Sequence, residues 1–176
     1  MILKLFPDTS PMMNFLFPDY HFDSITQIHC DWLRDHNIYN LLLDVDCTLK
    51  YYKSRTVLPE VAEWLQRKKA QGFQFCLVSN GRKHRIKKLA DELDLLFLAP
   101  AYKPFPSSCR KAMQLLYVDP RYTALIGDQI FTDVVAANLA GIRSILVNPL
   151  NPQEEPIFAR VKRPFERLVL RFEKNK

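Results

Sequence analysis

No C-x-x-C pair, no G-x-x-x-x-G-K loop and no long apolar run occurs in these 176 residues. The four cysteines, Cys30, Cys47, Cys76 and Cys109, are scattered, which argues against a zinc site or a disulfide framework and for a reducing compartment. The missing glycine-rich lysine loop excludes a P-loop nucleotide site. No stretch approaches the ~20 apolar residues that a spanning helix needs. The N-terminal MILKLFPDTSPMMNFLFPDYHF is apolar in patches but broken by Pro7, Asp8, Pro11 and Pro18, so it reads neither as a signal peptide nor as a membrane span. Linkers, low-complexity tracts and internal repeats are also missing.

What is present fits a soluble globular chain, with hydrophobic residues at 48% and charged residues at 25%. The length suits one domain with a proper core. We expect a single unit over 1–176, with a catalytic core at about 38–150, on which the segment 1–37 and a C-terminal helix at about 164–174 pack. The net charge of +6 points to acidic partners: phosphates, nucleic acid or an anionic membrane.

Local patterns divide the chain into alternating elements. Ser24-x-x-Gln27 has the form of a capping box ahead of Ile25, Ile28 and Trp32, predicting a helix over 24–36. Residues 40–46 read as a strand. Pro59 stands where a first-turn proline is tolerated, before an amphipathic helix carrying Val61, Trp64, Leu65 and Lys68 and ending at Gly72. A strand over 73–79 precedes a helix marked by Ile86, Leu89 and Leu93. A short strand (96–100), a helix (107–117, with Met113, Leu116 and Tyr117 on one face) and a strand (122–128) follow. A helix over 132–140 closes at Gly141, and a strand over 142–147 leads to the last helix at 164–174. Strands that are continuous apolar runs alternating with helices predict an α/β fold, a parallel sheet covered on both faces. Ligands of such sheets sit beyond the carboxyl ends of the strands.

Those ends carry the chemistry. LLLDVDCTLKYY (41–52) finishes a buried strand with Asp44 and Asp46, and residues i and i+2 of an extended chain share a side. Burying unpaired carboxylates is costly, so the two aspartates need a purpose. Ser79-Asn80-Gly81 ends the next strand with a hydroxyl and a turn able to form an anion-binding nest. Lys103 follows the short strand, Asp128 ends the strand 122–128, and Asp133 opens the next helix. Three or four carboxylates at one edge would repel one another without a divalent cation, and oxygen ligands with open positions suit Mg²⁺. Carboxylates, a hydroxyl, an amide nest and a lysine describe a phosphoryl-transfer site.

DVDCTL, LVSNG, the lysine of YKP and GDQIFTD resemble, in order, the four motifs of the haloacid dehalogenase superfamily. GDQIFTD, the following NLAGIRSILV and the earlier FPDYHFDSI look like the YqeG-type subgroup, whose members include phosphatidylglycerophosphate phosphatases. The resemblance implies a three-layer Rossmann-like fold with a parallel central sheet. It implies Asp44 as nucleophile, forming an aspartyl-phosphate, and Asp46 as the group that protonates the leaving oxygen and then activates water. Ser79 and the Asn80 amide would hold phosphoryl oxygens, Thr48 would orient the loop, and Gly81 and Arg82 would lie against the substrate. Lys103 would neutralise charge between Asp44 and the phosphate. Mg²⁺ would sit on Asp44, the Asp46 carbonyl and Asp128, supported by Asp133. Cys47 replaces a residue that is often Asn in the family; lying beside acids, it lacks the positive field of a reactive thiolate and reads as packing.

Only 32 residues separate Asp46 from Ser79, and 22 separate Asn80 from Lys103, so no cap domain fits. An open site suits bulky substrates such as phosphoproteins, nucleic-acid ends or lipid headgroups. RKHRIKK (82–88) forms a basic rim, either a solvated helix face or a recruiter of anionic surfaces. The C-terminal helix puts Phe165, Leu168, Val169 and Phe172 on one face, apart from Arg163, Arg167, Arg171 and Lys174. This pattern is read as core packing, with membrane contact the alternative. MMNFLF (12–17) leaves the same choice open. Tyr51, Tyr52 and Lys53 form a flap over the nucleophile. His21, His29, Cys30 and His36 match no metal spacing and read as surface or helix-packing residues. The expected protein is a Mg²⁺-dependent phosphatase acting on phosphatidylglycerophosphate, cytoplasmic or peripheral to the membrane. The alternatives are a phosphatase of a soluble phosphoester or nucleic-acid terminus, and an RNA-binding module with vestigial motifs.

Overall fold

Alternate residues of each central strand feed two different cores. In the computed structural model, which describes residues 15–154 and 157–173, the strands are β1 (Tyr20–Phe22), β2 (Asn40–Leu43), β3 (Gln74–Val78), β4 (Leu96–Leu98), β5 (Thr123–Gly127) and β6 (Arg143–Val147). The helices are α1 (Cys30–Asp35), α2 (Pro59–Ala70), α3 (Lys83–Leu93), α4 (Ser107–Leu116), α5 (Val135–Ala140) and α6 (Ile157–Glu173). The strands form one sheet in the order β1-β6-β5-β2-β3-β4, and every pairing is parallel. The expected α/β architecture is therefore present. Only α2 lies between β2 and β3, and only α3 between β3 and β4.

Leu41 and Leu43 of β2 join Phe75, Leu77 and Ile126 in a core covered by α2 and α3. Leu42 points the other way, to Cys76, Val78 and Leu125 under α4 and α5. This two-sided burial is why the strands read as unbroken apolar runs. A smaller cluster at the β6 side joins Ile130, Val134 and Leu146 to Val169 and Leu170 of α6.

The structure departs from the expected elements in four places. Over 24–36, a 3₁₀ turn (Ile25–Gln27) capped by the Ser24 hydroxyl precedes a separate α1. The break falls at Ile28, whose backbone is extended and whose carbonyl accepts from the Trp64 indole N–H (3.0 Å) rather than from a helical amide. The helix expected at 132–140 begins as a π-helical turn, Ile130–Val134, before α5. The three-residue β1, too short for a periodic signal, adds an edge strand beside β6.

The last helix, expected from 164, starts at Ile157 and contains Pro164 in its interior, at the cost of one backbone hydrogen bond. Its inner face holds Glu166, Val169 and Leu170, while Phe165 and Leu168 are 60% and 48% exposed. Core packing thus fails for Phe165 and Leu168; the Phe172 side chain, Lys174 and residues 12–14 of the N-terminal patch lie outside the described residues. The histidines behave as packing and surface groups: His36 stacks on Trp32 (4.1 Å between rings), and His21 meets the Asn148 amide. Among the described residues no helix is long and apolar enough to cross a membrane.

Leu42 is fully buried between β3 and β5. Leu42→Ala is expected to lower unfolding free energy by about 2–5 kcal/mol, checked by urea denaturation; a loss below ~1 kcal/mol would contradict this packing.

Candidate active site

The chain runs from β2 outward to β3 and β4, then returns to β5 beside β2 and runs the other way to β6. The crevice of a doubly wound sheet lies at this reversal, beyond the carboxyl ends of β2 and β5. Asp44 leaves β2 there. Its N–H still donates to the Ile126 carbonyl (2.9 Å), which keeps it on the ladder by one more residue. Asp128 leaves β5 alongside.

Lys103 is brought in from beyond β4 by backbone clamps. The Ala101 N–H donates to the Ser79 carbonyl (2.9 Å). The Asn80 side chain both accepts from the Lys103 N–H (2.8 Å) and donates to its carbonyl (3.0 Å). So fixed, the buried ammonium lies 2.6 Å from Asp44 Oδ1 and 2.6 Å from Asp133 Oδ1. Asp133 rides on the π-helical turn, a distortion that recurs at functional sites. Its other oxygen accepts from the Gln129 N–H (3.0 Å). A Cβ on Gly127 would fall 2.3 Å from the Asp133 carboxyl carbon, so glycine before Asp128 is what lets Asp133 approach.

Asp44, Asp128 and Asp133, all buried, each offer an oxygen within 4.8 Å of the others. The Thr48 hydroxyl donates to Asp128 (3.1 Å), and Arg163 of α6 pairs with the other Asp128 oxygen. Burial raises Asp44 to about 7; Lys103 pulls against this, while Asp133 and Asp46 add to it. Asp128 is raised well above the usual carboxylate range, by burial first and then by Asp44, against the pull of Arg163. Burial opposes the charge of Lys103, but Asp133 and Asp44 outweigh it and raise its pKa. Three desolvated carboxylates presenting only oxygen donors suit a hard divalent cation, which would relieve the repulsion that lifts them.

Asp46 belongs to a second charge system. Its carboxylate accepts from Lys50 (2.6 Å) and from both ends of the Arg85 guanidinium (2.7 Å to Oδ1). Burial opposes its ionisation, but the hydrogen bonds from Arg85 and Lys50 prevail and hold it below the ordinary range. Lys50, itself buried, also donates to the Tyr51 and Tyr52 carbonyls. A Cβ on Gly81 would meet the Arg85 guanidinium at 2.3 Å, so Gly81 gives Arg85 its path to Asp46. The Gly81 N–H donates to the Ser79 hydroxyl (3.1 Å).

The structure thus brings together Asp44, Lys103, Asp128, Asp133 and Thr48, with Ser79, Asn80 and Gly81 at the adjoining turn. Arg82 sits exposed as the residue preceding α3, and it is Arg85 that reaches the acids from this basic stretch. Lys50, Arg85, Arg163 and Glu166 were not singled out as site residues from the sequence. Only Lys50, four residues beyond Asp46 in an apolar stretch, carries a local hint. Cys47 is buried in a left-handed conformation (φ 65°), a region that Asn tolerates better than most residues.

A family model described as haloacid dehalogenase-like hydrolase matches residues 25–141. "Probable phosphatase YqeG" of Bacillus subtilis is 28% identical over 165 residues, covering 94% of this chain and 95% of that one. "Phosphatidylglycerophosphate phosphatase 1, chloroplastic/mitochondrial" of Arabidopsis thaliana is 24% identical over 166 residues; the match takes in 89% of this chain and 48% of that protein, about half its length. Among solved structures, the cobalt-bound deoxy-D-mannose-octulosonate 8-phosphate phosphatase of Haemophilus influenzae shares the fold, with a TM-score of 0.52 at 19% identity over 73% of this chain and 75% of that one. With two thirds of its length matched by the family model, the chain belongs to the haloacid dehalogenase-like hydrolases.

Proposed function

We propose that this chain, as a single catalytic domain, is a Mg²⁺-dependent phosphatase that forms a phospho-aspartate on Asp44 and hydrolyses phosphatidylglycerophosphate to phosphatidylglycerol. The observation that carries the reaction type is the Lys103 ammonium held 2.6 Å from Asp44 beside two further buried carboxylates. Mg²⁺, held by Asp44, Asp128 and the Asp46 carbonyl with Asp133 in support, would supply positive charge for the phosphoryl oxygens.

The chain's own groups do the rest. Asp44 attacks phosphorus, and the ester bond to the alcohol breaks. Lys103 offsets the charge that builds between Asp44 and the phosphoryl group. Ser79, the Asn80 amide and Gly81 hold phosphoryl oxygens; Thr48 orients the loop through Asp128, and Arg82 stands at the substrate rim. Asp46 gives a proton to the leaving oxygen, then takes one from the water that attacks the phospho-aspartate. Held by Lys50 and Arg85, Asp46 is already in the ionised form that the second half requires. The first half needs it protonated, which means loosening the Arg85 fork.

The lipid substrate is supported by the surroundings of the site. Among the described residues nothing is inserted between the strands to enclose a small molecule. Exposed aromatics flank the catalytic residues, Tyr51 and Tyr52 after Asp46, and Tyr102 and Phe105 on either side of Lys103; the amphipathic rings of the three tyrosines suit a membrane interface. The YqeG-type likeness points the same way. On this reading the protein works in the cytoplasm at the membrane surface.

Asp44→Asn is expected to abolish Mg²⁺-dependent phosphate release while thermal unfolding stays near that of the parent; retained turnover would sink the mechanism. Chelation by EDTA should silence the parent protein and added Mg²⁺ should restore it. With phosphatidylglycerophosphate in mixed micelles compared against soluble phosphoesters, kcat/KM should favour the lipid, and a preference for a soluble ester would discard the lipid but keep the chemistry. Arg85→Ala removes the two Arg85 hydrogen bonds that lower the Asp46 pKa, so the acid limb of the kcat–pH profile should move to higher pH. An unmoved limb would mean that Asp46 is not the base.

A further inference from the structure

Between the loop after β2 and helix α3 lies a cleft of about 450 Å³ lined by Lys50, Lys53, Arg55, His84, Arg85 and Lys88, with no carboxylate in its wall. Lys50 and Arg85 form its border with the catalytic site and spend their charge on Asp46. Lys53, Arg55 and Lys88 have no acidic partner among the described residues. Several other surface cations do have an acid beside them: Lys87 pairs with Asp91, Lys69 with Asp94, Arg34 with Asp31 and Arg121 with Asp119. Lys87 and Lys88 adjoin in sequence, yet only the one facing away from the cleft has an acid beside it. Concentrating unpaired like charges in one concavity costs free energy unless an anion fills it, and such a concavity focuses an attractive field for anions.

The position of the cleft indicates which anion. Asp46 faces the oxygen that leaves, so the cleft beyond Lys50 and Arg85 receives whatever the leaving alcohol carries. We propose that this cleft is a subsite for a second phosphate group, mono- or diester, borne by the leaving alcohol, which makes the substrate class phosphomonoesters whose alcohol holds a further phosphate. The inference rests on the reading of Asp46 as the group at the leaving oxygen and deepens the proposed function. A phospholipid with a terminal phosphomonoester meets this requirement, and so does a free, water-soluble bis-phosphate. Ser54, whose hydroxyl and the Thr56 backbone hydrogen-bond each other reciprocally, stiffens the loop that presents Lys53 and Arg55.

The test is the triple variant Lys53→Gln/Arg55→Gln/Lys88→Gln, which leaves the catalytic groups intact. Turnover with Mg²⁺ is compared for p-nitrophenyl phosphate, for phosphatidylglycerophosphate in neutral micelles, and for its deacylated, water-soluble headgroup. Exposed charge pairs contribute modestly each, so removal of three should raise KM for both bis-phosphates by roughly tenfold. Their kcat, and all constants for p-nitrophenyl phosphate, should hold. An effect on the micellar lipid alone would mean that the cations meet a charged surface and not the leaving alcohol, and would overturn the subsite. An equal loss on all three substrates, or none on any, would overturn it as well. Binding of the headgroup to Asp44→Asn protein, read by calorimetry with and without the triple substitution, tests the cleft independently of turnover. A roughly tenfold weakening supports the subsite even if the phosphatase reading fails, and unchanged or absent binding rejects it.

Discussion

The structure depends on one buried cation. Lys103 is removed from water, a position that an ammonium tolerates only between opposite charges with good geometry. Asp44, just past β2, and Asp133, on the π-helical turn that follows the neighbouring β5, supply those charges from positions 89 residues apart in sequence. The rest of the edge serves this contact. The Asn80 amide fixes the Lys103 backbone from both sides, and the missing side chain at Gly127 leaves room for Asp133. Loss of Lys103 would leave both desolvated carboxylates without their counter-charge, whereas loss of Asp44 still leaves the ammonium paired with Asp133.

Around this centre each further acid has its own cation. Asp46 takes Lys50 and Arg85, and Asp128 takes Arg163, which also pairs with Glu166 (3.0 Å). Glu166 in turn accepts from the Ile130 N–H (2.8 Å) at the start of the π-helical turn that carries Asp133. Helix α6 is thereby tied to this edge through polar groups at its centre, while its Val169 and Leu170 join a small apolar cluster with Ile130, Val134 and Leu146. In the cleft beside Asp46, by contrast, Lys53, Arg55 and Lys88 have no acid beside them among the described residues. Part of the surplus positive charge of the chain thus lines a concave surface bordered by Lys50 and Arg85, the partners of Asp46.

The motif acids were legible because chemistry constrains them locally. A carboxylate closing an apolar strand has no structural use that a turn could not serve with less desolvation, and two such strand ends joined, in order, by Ser79-Asn80 and Lys103 leave little room for coincidence. The all-parallel sheet was legible for a similar reason, since strands buried on both faces cannot alternate. Arg82 and Arg85 show the opposite case. Both lie in one basic run, and choosing between them requires the direction of α3 relative to Asp46 and the gap over Gly81. Helix α6 was misjudged likewise: Phe165 and Leu168 look like core residues from periodicity, but the ion pairs of Arg163 and Glu166 rotate another face inward.

The sequence by itself determined the order of strands and helices from β2 onward, the acids at the strand ends and the want of room for a cap, because each follows from spacing along the chain and local burial. Tertiary structure alone decided which cation neutralises which acid, where the sheet gains its edge strand, and which basic residues remain unpaired around one cleft. Those outcomes depend on residues far apart in sequence meeting in a low-dielectric interior, where a shift of a few ångströms changes the interaction by kilocalories.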